Sequence, residues 1–263
     1  MRVNRLRDRL VAGKTVFGCQ MQAYRSPEIA RTFAAAGFDF VFIDMEHGTF
    51  TLETMQDIAV AAVGAGITPI VRVGELLYSL VARVLDGGAQ GVILPRVEDP
   101  KILDEAMSWF RFPPVGQRGY GVNPTMIEYE AHTFPEIVDH FNQNVISVVQ
   151  FETRTAMERA DELLSVKGVD IAMVGPADLS ISLGVPGQFD HPLVVSTIER
   201  LIENCHKHGV VPGIQTRGVA MAKMWADRGM RFVGAAAEHT LLLEKAREVV
   251  ATLHKVTQVP AAP

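Results

Sequence analysis

Residues 145–178 read VISVVQFETRTAMERADELLSVKGVDIAMVGPAD, and this stretch decides the fold class. It opens with an apolar, β-rich run at Val145–Phe151, continues with apolar residues at helical spacing over Arg154–Ser165, and returns to an apolar run at Val169–Val174. Gly168 stands where a glycine commonly ends a helix. Both runs are apolar at successive positions, which is typical of strands buried on both faces of a parallel sheet. The stretch therefore predicts a strand–helix–strand unit.

The same alternation extends in both directions along the chain. The predicted strands are Val16–Met21, Phe38–Asp44, Thr68–Val73, Gly91–Pro95, Val145–Phe151, Val169–Val174, Val210–Ile214 and Phe232–Ala235. The predicted helices are Ser26–Ala36, Leu52–Val63, Leu76–Asp86, Pro100–Phe110, Arg154–Ser165, Leu193–His208, Val219–Arg228 and Leu241–Leu253. Strict alternation favours an α/β fold of the (β/α)8 TIM-barrel type. An open doubly wound sheet is the alternative, but Cys19–Arg25 lacks the glycine-rich phosphate turn expected after its first strand.

The length of 263 residues fits one barrel, so we predict a single domain over residues 1–263. Residues 111–142 form an insertion without a clear strand, and we expect it to cover one end of the barrel. No apolar run approaches the roughly 20 residues of a membrane helix, and Met1–Lys14 lacks the apolar segment of a secretory signal.

The net charge of −5 argues against a nucleic-acid-binding surface, which usually carries a basic face. The two cysteines, Cys19 and Cys205, cannot form a disulfide scaffold and suit a reducing compartment. We therefore expect a cytoplasmic protein with neither nucleic acid nor membrane as a partner.

Carboxylates end two consecutive predicted strands, at Glu152 and Asp178. Barrels of this kind carry their function at the carboxyl ends of the strands, so both side chains should meet at one rim. Two carboxylates with open positions suit a hard divalent cation. Asp178 also lies at a predicted helix start, where it could simply cap the helix.

The turn Gly175-Pro176-Ala177 leads directly from strand to helix. The backbone N–H groups of Ala177 and Asp178 would then point at the rim and suit a substrate carboxylate. Pro176 has an ordinary explanation as well, because proline commonly opens helices.

Arg72 ends the third predicted strand, where its guanidinium needs an anion or an oxygen partner. A structural ion pair in the barrel mouth is the alternative. The run Asp44-Met45-Glu46-His47 follows the second strand, and a histidine held by a carboxylate can act as a base near neutral pH. His47 could equally be an ordinary loop histidine.

The lysines fall in predicted helices or in loops before strands, where no Schiff base at the rim is expected. They are Lys14, Lys101, Lys167, Lys207, Lys223, Lys245 and Lys255. Carbonyl chemistry at this rim would therefore use a metal as Lewis acid.

Five motifs together resemble the class II, metal-dependent pyruvate aldolases of the HpcH/HpaI family, which includes 4-hydroxy-2-oxoheptanedioate and 2-keto-3-deoxy sugar-acid aldolases. They are Asp44-Met-Glu-His-Gly, Val-Arg72, the run RFPPVGQRG from Arg111, Gln150-Phe-Glu-Thr and Val-Gly-Pro-Ala-Asp178-Leu-Ser. The resemblance runs from about Arg5 to about Val250.

The resemblance implies a metal-dependent barrel of the phosphoenolpyruvate/pyruvate-binding type that assembles as a hexamer, a trimer of dimers. By this resemblance Glu152 and Asp178 are the metal ligands, and Gln150 lies beside the metal. Arg72 binds pyruvate oxygens and steadies the enolate. The implied cation is magnesium, manganese or cobalt, with zinc or nickel as alternatives.

The resemblance also implies the remaining roles. His47 belongs to the base region and works through water with Asp44 and with an aspartate from a neighbouring subunit, whose matching position is Asp86. The segment Gly175–Asp178 resembles the cradle for the substrate carboxylate.

Several positions depart from the family pattern, and they leave the residues for the pyruvate half intact. Gln215 stands where the heptanedioate and sugar-acid enzymes carry an apolar residue, and residues 236–239 differ from a Val-Asp-Thr type run. Met45 replaces a glycine, and residues 18–21 differ from a small polar run. We therefore expect an aldolase that cleaves a 4-hydroxy-2-oxo acid to pyruvate and an aldehyde. A CoA-thioester lyase of the citrate-lyase type and a non-catalytic binding barrel remain as alternatives.

Overall fold

Eight parallel strands form a closed barrel in the order β1 to β8 in the computed structural model, which describes residues 1–256. The strands are β1 (Val16–Met21), β2 (Phe40–Asp44), β3 (Thr68–Arg72), β4 (Gly91–Leu94), β5 (Ile146–Phe151), β6 (Ile171–Val174), β7 (Val211–Gln215) and β8 (Phe232–Ala237). The predicted TIM barrel is confirmed. The last residues of the predicted domain, 257–263, lie outside the described residues.

Helices separate the strands, as the apolar spacing predicts. They are α1 (Arg5–Val11), α2 (Glu28–Ala36), α3 (Leu52–Ala65), α4 (Tyr78–Asp86), α5 (Pro100–Ser108), α6 (Phe134–Asn144), α7 (Arg154–Glu158), α8 (Ala160–Leu164), α9 (Pro176–Ser182), α10 (Pro192–His208), α11 (Val219–Asp227) and α12 (Glu238–Val256).

Each predicted strand is found, and its ends are displaced by no more than two residues. The predicted helix over Arg154–Ser165 is instead two short helices, because the backbone turns at Arg159, where φ is −98° and ψ is 16°. The Arg159 guanidinium anchors that turn by donating to the Glu98 carbonyl oxygen at 2.9 Å. Helices α1, α6 and α9 lie outside the predicted ranges, although the turn at Gly175–Ala177 does predict a helix start there.

Helix α1 closes the amino-terminal end of the barrel. Its apolar residues Leu6 and Leu10 pack with the inward-facing side chains of the strands, among them Phe40 and Phe232, whose rings stack at 4.1 Å. Asn4 fixes the helix in place, because its amide donates to the backbone oxygens of Gln90 and Asn144 at 3.0 and 2.8 Å. The side chains of α1 and of the strands therefore fill the interior at the amino-terminal end of the barrel.

The insertion at residues 111–142 contains a short 3-10 helix at Pro124–Ile127 and most of α6. Two of its ion pairs lie at the amino-terminal end of the barrel, while Gly119 donates to the hydroxyl of Tyr78, at the start of α4, at 2.8 Å. Arg118 pairs with Asp86 at 2.7 Å, and Glu128 pairs with Arg2 at 2.8 Å. These two ion pairs are at the end opposite the carboxyl ends of the strands.

Helix α12 leaves the barrel after its first turn. Every residue from Leu242 to His254 is exposed. The helix nevertheless carries large apolar side chains at Leu242, Leu243, Val249, Val250 and Leu253. Within the described part of the chain, no helix is both long and apolar enough to cross a membrane.

Candidate active site

A cavity of about 540 Å³ opens at the carboxyl ends of the strands. Strands or strand-end loops from β1, β2, β3, β5, β6, β7 and β8 contribute to it. Its lining includes Gln20, Gln22, His47, Arg72, Gln150, Gly175, Pro176, Ala177, Asp178, Gln215, Thr216, Arg217, His239 and Thr240. Most of the site residues predicted from the sequence therefore meet at one place.

Asp44, at the end of β2, is fully buried and accepts six hydrogen bonds. Arg72 donates twice, at 2.9 and 2.6 Å, and the amides of Gln20 and Gln22 donate at 2.9 and 2.8 Å. The backbone N–H groups of Glu46 and His47 donate at 3.1 and 3.2 Å. Burial raises the pKa of Asp44, but the Arg72 guanidinium and the amide donors outweigh it and hold the pKa below its usual value. Asp44 is thus a fixed anion that orients Arg72.

Arg72 is held on nearly every side of its guanidinium. Nε and Nη2 bind Asp44, while Nη1 lies 3.3 Å from Gln150 Oε1 and 2.9 Å from Glu46 Oε2. A guanidinium has five N–H donors, and three of them make the hydrogen bonds to Asp44 and Gln150, while Glu46 Oε2 forms an ion pair with Nη1 without a hydrogen bond. One N–H of Nη2 therefore has no acceptor among these contacts and is available to a ligand oxygen.

Glu46 is a site residue that the sequence reasoning missed. Its nearly buried carboxylate pairs with Arg72 and with Arg96, which lies 3.0 Å away. The His47 ring is 3.9 Å from Glu46 Oε2, and Asp44 reaches only the backbone of His47. The His47 side chain is half exposed, so it faces the cavity without being locked by a carboxylate.

Gln150 and Glu152 extend the network to the end of β5. The Gln150 amide accepts from Arg72 and donates to Glu152 Oε2, and the backbone of Arg96 donates to Glu152 Oε1 at 3.2 Å. Burial raises the pKa of Glu152, and the negative charges of Asp178 and Glu46 raise it further. A buried carboxylate facing other carboxylates needs a positive neighbour.

Asp178 lies exposed in the first turn of α9, close enough for its charge to act on Glu152. Two oxygen donors with room for water match the preference of hard divalent cations. Among residues 1–256, no cluster of three or more His, Cys, Asp or Glu side chains is arranged to hold a metal, so the protein would supply only this pair.

Gly175 permits the close approach of β6 to this pair. A side chain there would place its Cβ 2.9 Å from Gln150 Nε2 and 3.1 Å from Glu152 Oε2. Helix α9 then begins at Pro176, as predicted, and brings the backbone of Ala177 and Asp178 to the cavity wall. A substrate carboxylate bound by these amides would lie next to Glu152 and Asp178.

The ends of β7 and β8 form the opposite wall. Gln215 lies there as predicted, and its amide nitrogen donates to the backbone oxygens of Thr216 and Ala236 at 3.3 and 3.5 Å. Its Oε1 is buried and accepts no hydrogen bond. Arg217 and His239 line the same wall, and sequence reasoning did not select them. The departure of residues 236–239 from the family pattern was the available signal for His239.

Asp86 does not line this cavity. It ends α4, at the amino-terminal end of the barrel, and its carboxylate pairs with Arg118. The structure therefore brings together the predicted residues of β2, β3, β5, β6 and β7 and leaves Asp86 outside this chain's own site.

A parallel barrel with a cavity, an arginine and carboxylates at its carboxyl rim has the arrangement of a TIM-barrel enzyme. The model of the family HpcH/HpaI aldolase/citrate lyase matches residues 22–245, and the chain belongs to that family. Its named relatives are aldolases, which are carbon–carbon lyases, and the prediction of an enzyme is confirmed.

Two relatives cover nearly the whole chain. Hydroxypyruvate/pyruvate aldolase of Roseobacter denitrificans is 33% identical and covers 95% of this chain and 96% of its own. A 4-hydroxy-2-oxo-heptane-1,7-dioate aldolase of Salmonella arizonae is 32% identical and covers 94% of both.

Two solved structures share the architecture. The HpcH/HpaI aldolase from Desulfitobacterium hafniense DCB-2 superposes with a TM-score of 0.90 at 31% identity and covers 98% of this chain and 99% of its own. The citrate synthase SbnG superposes with a TM-score of 0.85 at 28% identity and covers 97% and 99%. The family assignment therefore spans more than one reaction.

Proposed function

We propose that this enzyme is a divalent-metal-dependent aldolase that cleaves a 4-hydroxy-2-oxo acid reversibly to pyruvate and an aldehyde. The observation that carries the proposal is the continuous network from Asp44 through Arg72 and Gln150 to Glu152. It places a guanidinium with a free N–H beside two carboxylates that repel each other. The relatives named hydroxypyruvate/pyruvate aldolase and 4-hydroxy-2-oxo-heptane-1,7-dioate aldolase support the same class of substrate.

Glu152 and Asp178 are the proposed ligands of magnesium, manganese or cobalt, with zinc or nickel as alternatives. The raised pKa of Glu152, caused first by burial and then by neighbouring carboxylates, indicates a position that favours a bound cation. A bound divalent cation would act as a Lewis acid toward the 2-oxo acid and stabilise the charge of the enolate.

Each of the other site residues has a separate role in the proposed reaction. The free N–H of Arg72 stabilises negative charge on the enolate oxygen, and Asp44 keeps the guanidinium in place. The amides of Ala177 and Asp178 hold the substrate carboxylate. His47 accepts the proton of the 4-hydroxyl group, so that the electrons of the O–H bond form the aldehyde carbonyl while the C3–C4 bond breaks.

The test is release of pyruvate from a 4-hydroxy-2-oxo acid, measured with EDTA and after each divalent cation is restored. Exchange of the pyruvate methyl protons with deuterium reports enolate formation separately. A CoA-thioester lyase would instead require a CoA substrate, and a binding barrel would show neither pyruvate release nor exchange. Absence of both activities with all five cations contradicts the proposal.

A homo-oligomer, a hexamer by resemblance, is part of the same proposal, with Asp86 reaching the site of a neighbouring copy. The exposed apolar residues of α12 support an interface between copies, since large exposed apolar patches on a protein surface mark interaction sites. Light scattering after gel filtration tests it: replacing Leu242 and Leu253 by Glu should lower the mass. Reversing the exposed pair Lys245 and Glu248 on the same helix should not.

The same proposal places the enzyme in the cytoplasm, with the oxo acid and the aldehyde as its partners. Cys19 and Cys205 are both buried and unpaired, which suits a reducing compartment. Burial raises the pKa of each thiol to about 12, so neither is a reactive thiolate at neutral pH.

A further inference from the structure

Glu238, the first residue of α12, is a buried acid that the proposed mechanism does not use. Only 1% of its side chain is exposed. Its Oε1 accepts the backbone N–H groups of Gln22, Ala23 and Tyr24 at 2.8, 2.6 and 3.2 Å, while Oε2 makes no hydrogen bond. Burying a carboxylate is costly unless it is paired or hydrogen-bonded, and the three amides supply those bonds. Glu238 therefore fastens the loop after β1 to the start of α12.

Gln22 is the residue of this loop that reaches the site. Its Nε2 donates to Asp44 Oδ2 at 2.8 Å, and the same oxygen accepts from Arg72 Nη2 at 2.6 Å. The backbone oxygen of Gln22 accepts from the N–H of Thr49 at 3.2 Å. The Gln22 backbone is thus held on one side by Glu238 and on the other by the loop after β2, and its side chain is aimed at Asp44.

Gln20 makes the same bond to Asp44 without such an anchor. Its Nε2 donates to Asp44 Oδ2 at 2.9 Å, but Gln20 lies within β1, which pairs with β2 and β8. The backbone hydrogen bonds of the sheet hold it there. Strand β1 ends one residue before Gln22, so Gln22 lies just beyond these bonds. The three hydrogen bonds to Glu238 replace them at this position.

We propose that Glu238 is a positioning residue for enolate formation, which acts by holding Gln22 against Asp44. Asp44 in turn orients the guanidinium of Arg72. The inference rests on the proposed aldolase function and adds a residue that does not line the cavity. Asp44 keeps five further hydrogen bonds when Gln22 is displaced, so loss of Glu238 should slow the reaction rather than abolish it.

The experiment measures deuterium exchange into the methyl group of pyruvate by the metal-loaded enzyme, in Glu238→Leu and Glu238→Gln. Leucine is similar in size but offers no acceptor, whereas the glutamine oxygen can still accept from the loop amides. We expect Glu238→Leu to lower kcat for exchange by roughly tenfold to a hundredfold, the value of one hydrogen bond to a charged group. Glu238→Gln should recover most of that loss, because the role requires an acceptor and not a charge.

A double-mutant cycle with Gln22→Ala tests whether Glu238 acts through Gln22. Both changes remove the same bond to Asp44, so the double variant should exchange no more slowly than the slower single variant. Independent effects would multiply instead.

The attachment of the loop has a measurement of its own that needs no activity. Hydrogen–deuterium exchange of the backbone over residues 22–24, followed by mass spectrometry, reports whether these amides are bonded. They should be protected in the wild-type enzyme and in Glu238→Gln, and should exchange faster in Glu238→Leu.

Asp39→Leu is the matched control at the other end of β1. The Asp39 carboxylate accepts from the backbone N–H of Phe17 at 2.8 Å and pairs with Arg9 at 3.1 Å, and only 11% of its side chain is exposed. Its loss should lower the melting temperature but leave the rate of pyruvate exchange unchanged, because this anchor lies at the amino-terminal end of the barrel.

The outcomes separate this inference from the proposed function. Absence of pyruvate exchange in the wild-type enzyme contradicts the aldolase function itself. Normal exchange in the wild type with a rate within about twofold of it in Glu238→Leu overturns the inference alone, as does a cycle in which the two losses multiply. If Glu238→Leu fails to fold, as judged by circular dichroism, Glu238→Asp takes its place, because its shorter side chain keeps the charge and withdraws the oxygen from the loop.

Discussion

The two walls of the cavity differ in how completely their polar groups are paired. On the wall built by β2, β3 and β5, Asp44 accepts six hydrogen bonds and Arg72 has acceptors at each of its nitrogens. Glu46 Oε2, on the same wall, makes no hydrogen bond, but it lies 2.9 Å from Arg72 Nη1 in an ion pair. On the wall built by β7 and β8, Gln215 Oε1 and Glu238 Oε2 are buried without a hydrogen bond. The first wall is organised by its own residues before any ligand binds, while the second keeps two buried oxygens outside any hydrogen bond.

This difference separates the chemistry of the oxo acid from the choice of aldehyde. A preorganised charged network stabilises a developing enolate without rearranging during the reaction. Unpaired acceptors discriminate between ligands, because each ligand either supplies the missing donor or leaves it absent. Changes on the first wall should therefore abolish the reaction, and changes on the second should redirect it.

Removal of either carboxylate of the proposed metal pair should cause the largest loss of activity. We expect Glu152→Gln or Asp178→Asn to reduce metal-dependent turnover by about 10⁴-fold or more, because a Lewis acid supplies several kcal/mol and each 1.36 kcal/mol is tenfold. Steady-state kinetics and calorimetric titration with Mn²⁺ measure both effects.

Glu98→Gln is the control for these variants. Glu98 also lies beyond a strand end at the same rim, where it contacts Thr153, but it does not line the cavity. It should retain activity and metal affinity. Near-normal metal binding in both Glu152→Gln and Asp178→Asn would show that the cation lies elsewhere.

His47→Ala should slow cleavage of the substrate without slowing enolate formation. His47 is half exposed and locked by no carboxylate, so its loss should leave the network of Arg72 and Asp44 in place. We expect cleavage to fall by about 10²–10⁴-fold, the usual contribution of a positioned base, while methyl exchange in pyruvate is preserved.

His206→Ala, at the exposed end of α10, is the matched histidine control and should change neither rate. Equal losses of cleavage and exchange in His47→Ala would assign this residue to enolate formation or to binding instead.

The sequence predicts the first wall better than the second for a physical reason. Glu152 and Arg72 directly end apolar strands, and barrel topology alone brings such residues to one rim. Glu46 was missed because it lies in a loop, and its role depends on contact with Arg72 and Arg96 from other strands. Helix α6 was missed because most of it lies within the insertion, which was expected to form a cover without regular elements.

The hydrogen bonds of Glu238 could not be predicted from the sequence for a similar reason. Its three donors lie in the loop after β1, more than 200 residues away along the chain, and they are backbone groups that no side-chain pattern reports. The spacing of apolar residues predicts helices, strands and their ends. Contacts between loops that are distant in sequence can be found only once the closed barrel is known.

Arg72→Lys should remove hydrogen bonds of the first wall while keeping its positive charge. A lysine cannot make the paired contacts with Asp44 and still reach Gln150, Glu46 and a ligand oxygen. We expect deuterium exchange into pyruvate to fall by about 10²–10³-fold, the usual cost of losing one donor to a developing oxyanion.

Arg72→Ala provides the comparison and should be only slightly worse. A lysine variant that exchanges at the wild-type rate would show that the guanidinium is not at the enolate.

The smallest effect is expected on the second wall, from Gln215→Leu. Gln215 Oε1 is buried and has no donor, and the side chain packs against Gly234, where a Cβ would collide with it. Leucine removes the unpaired acceptor and adds apolar surface of similar size. An apolar or longer aldehyde should then gain on a glycolaldehyde-like one by roughly 1–3 kcal/mol, the scale of one unmet polar group.

The measurement is the ratio of kcat/KM for two aldehydes in wild type and Gln215→Leu, with pyruvate exchange as the control for the first wall. Because Gln215 lies across the cavity from Arg72 and makes no hydrogen bond to it, exchange should be unchanged. An unchanged ratio of kcat/KM would mean that Gln215 Oε1 is not in contact with the aldehyde. The insertion at residues 111–142 could then influence the choice from a neighbouring copy, since none of its residues lines this chain's own cavity.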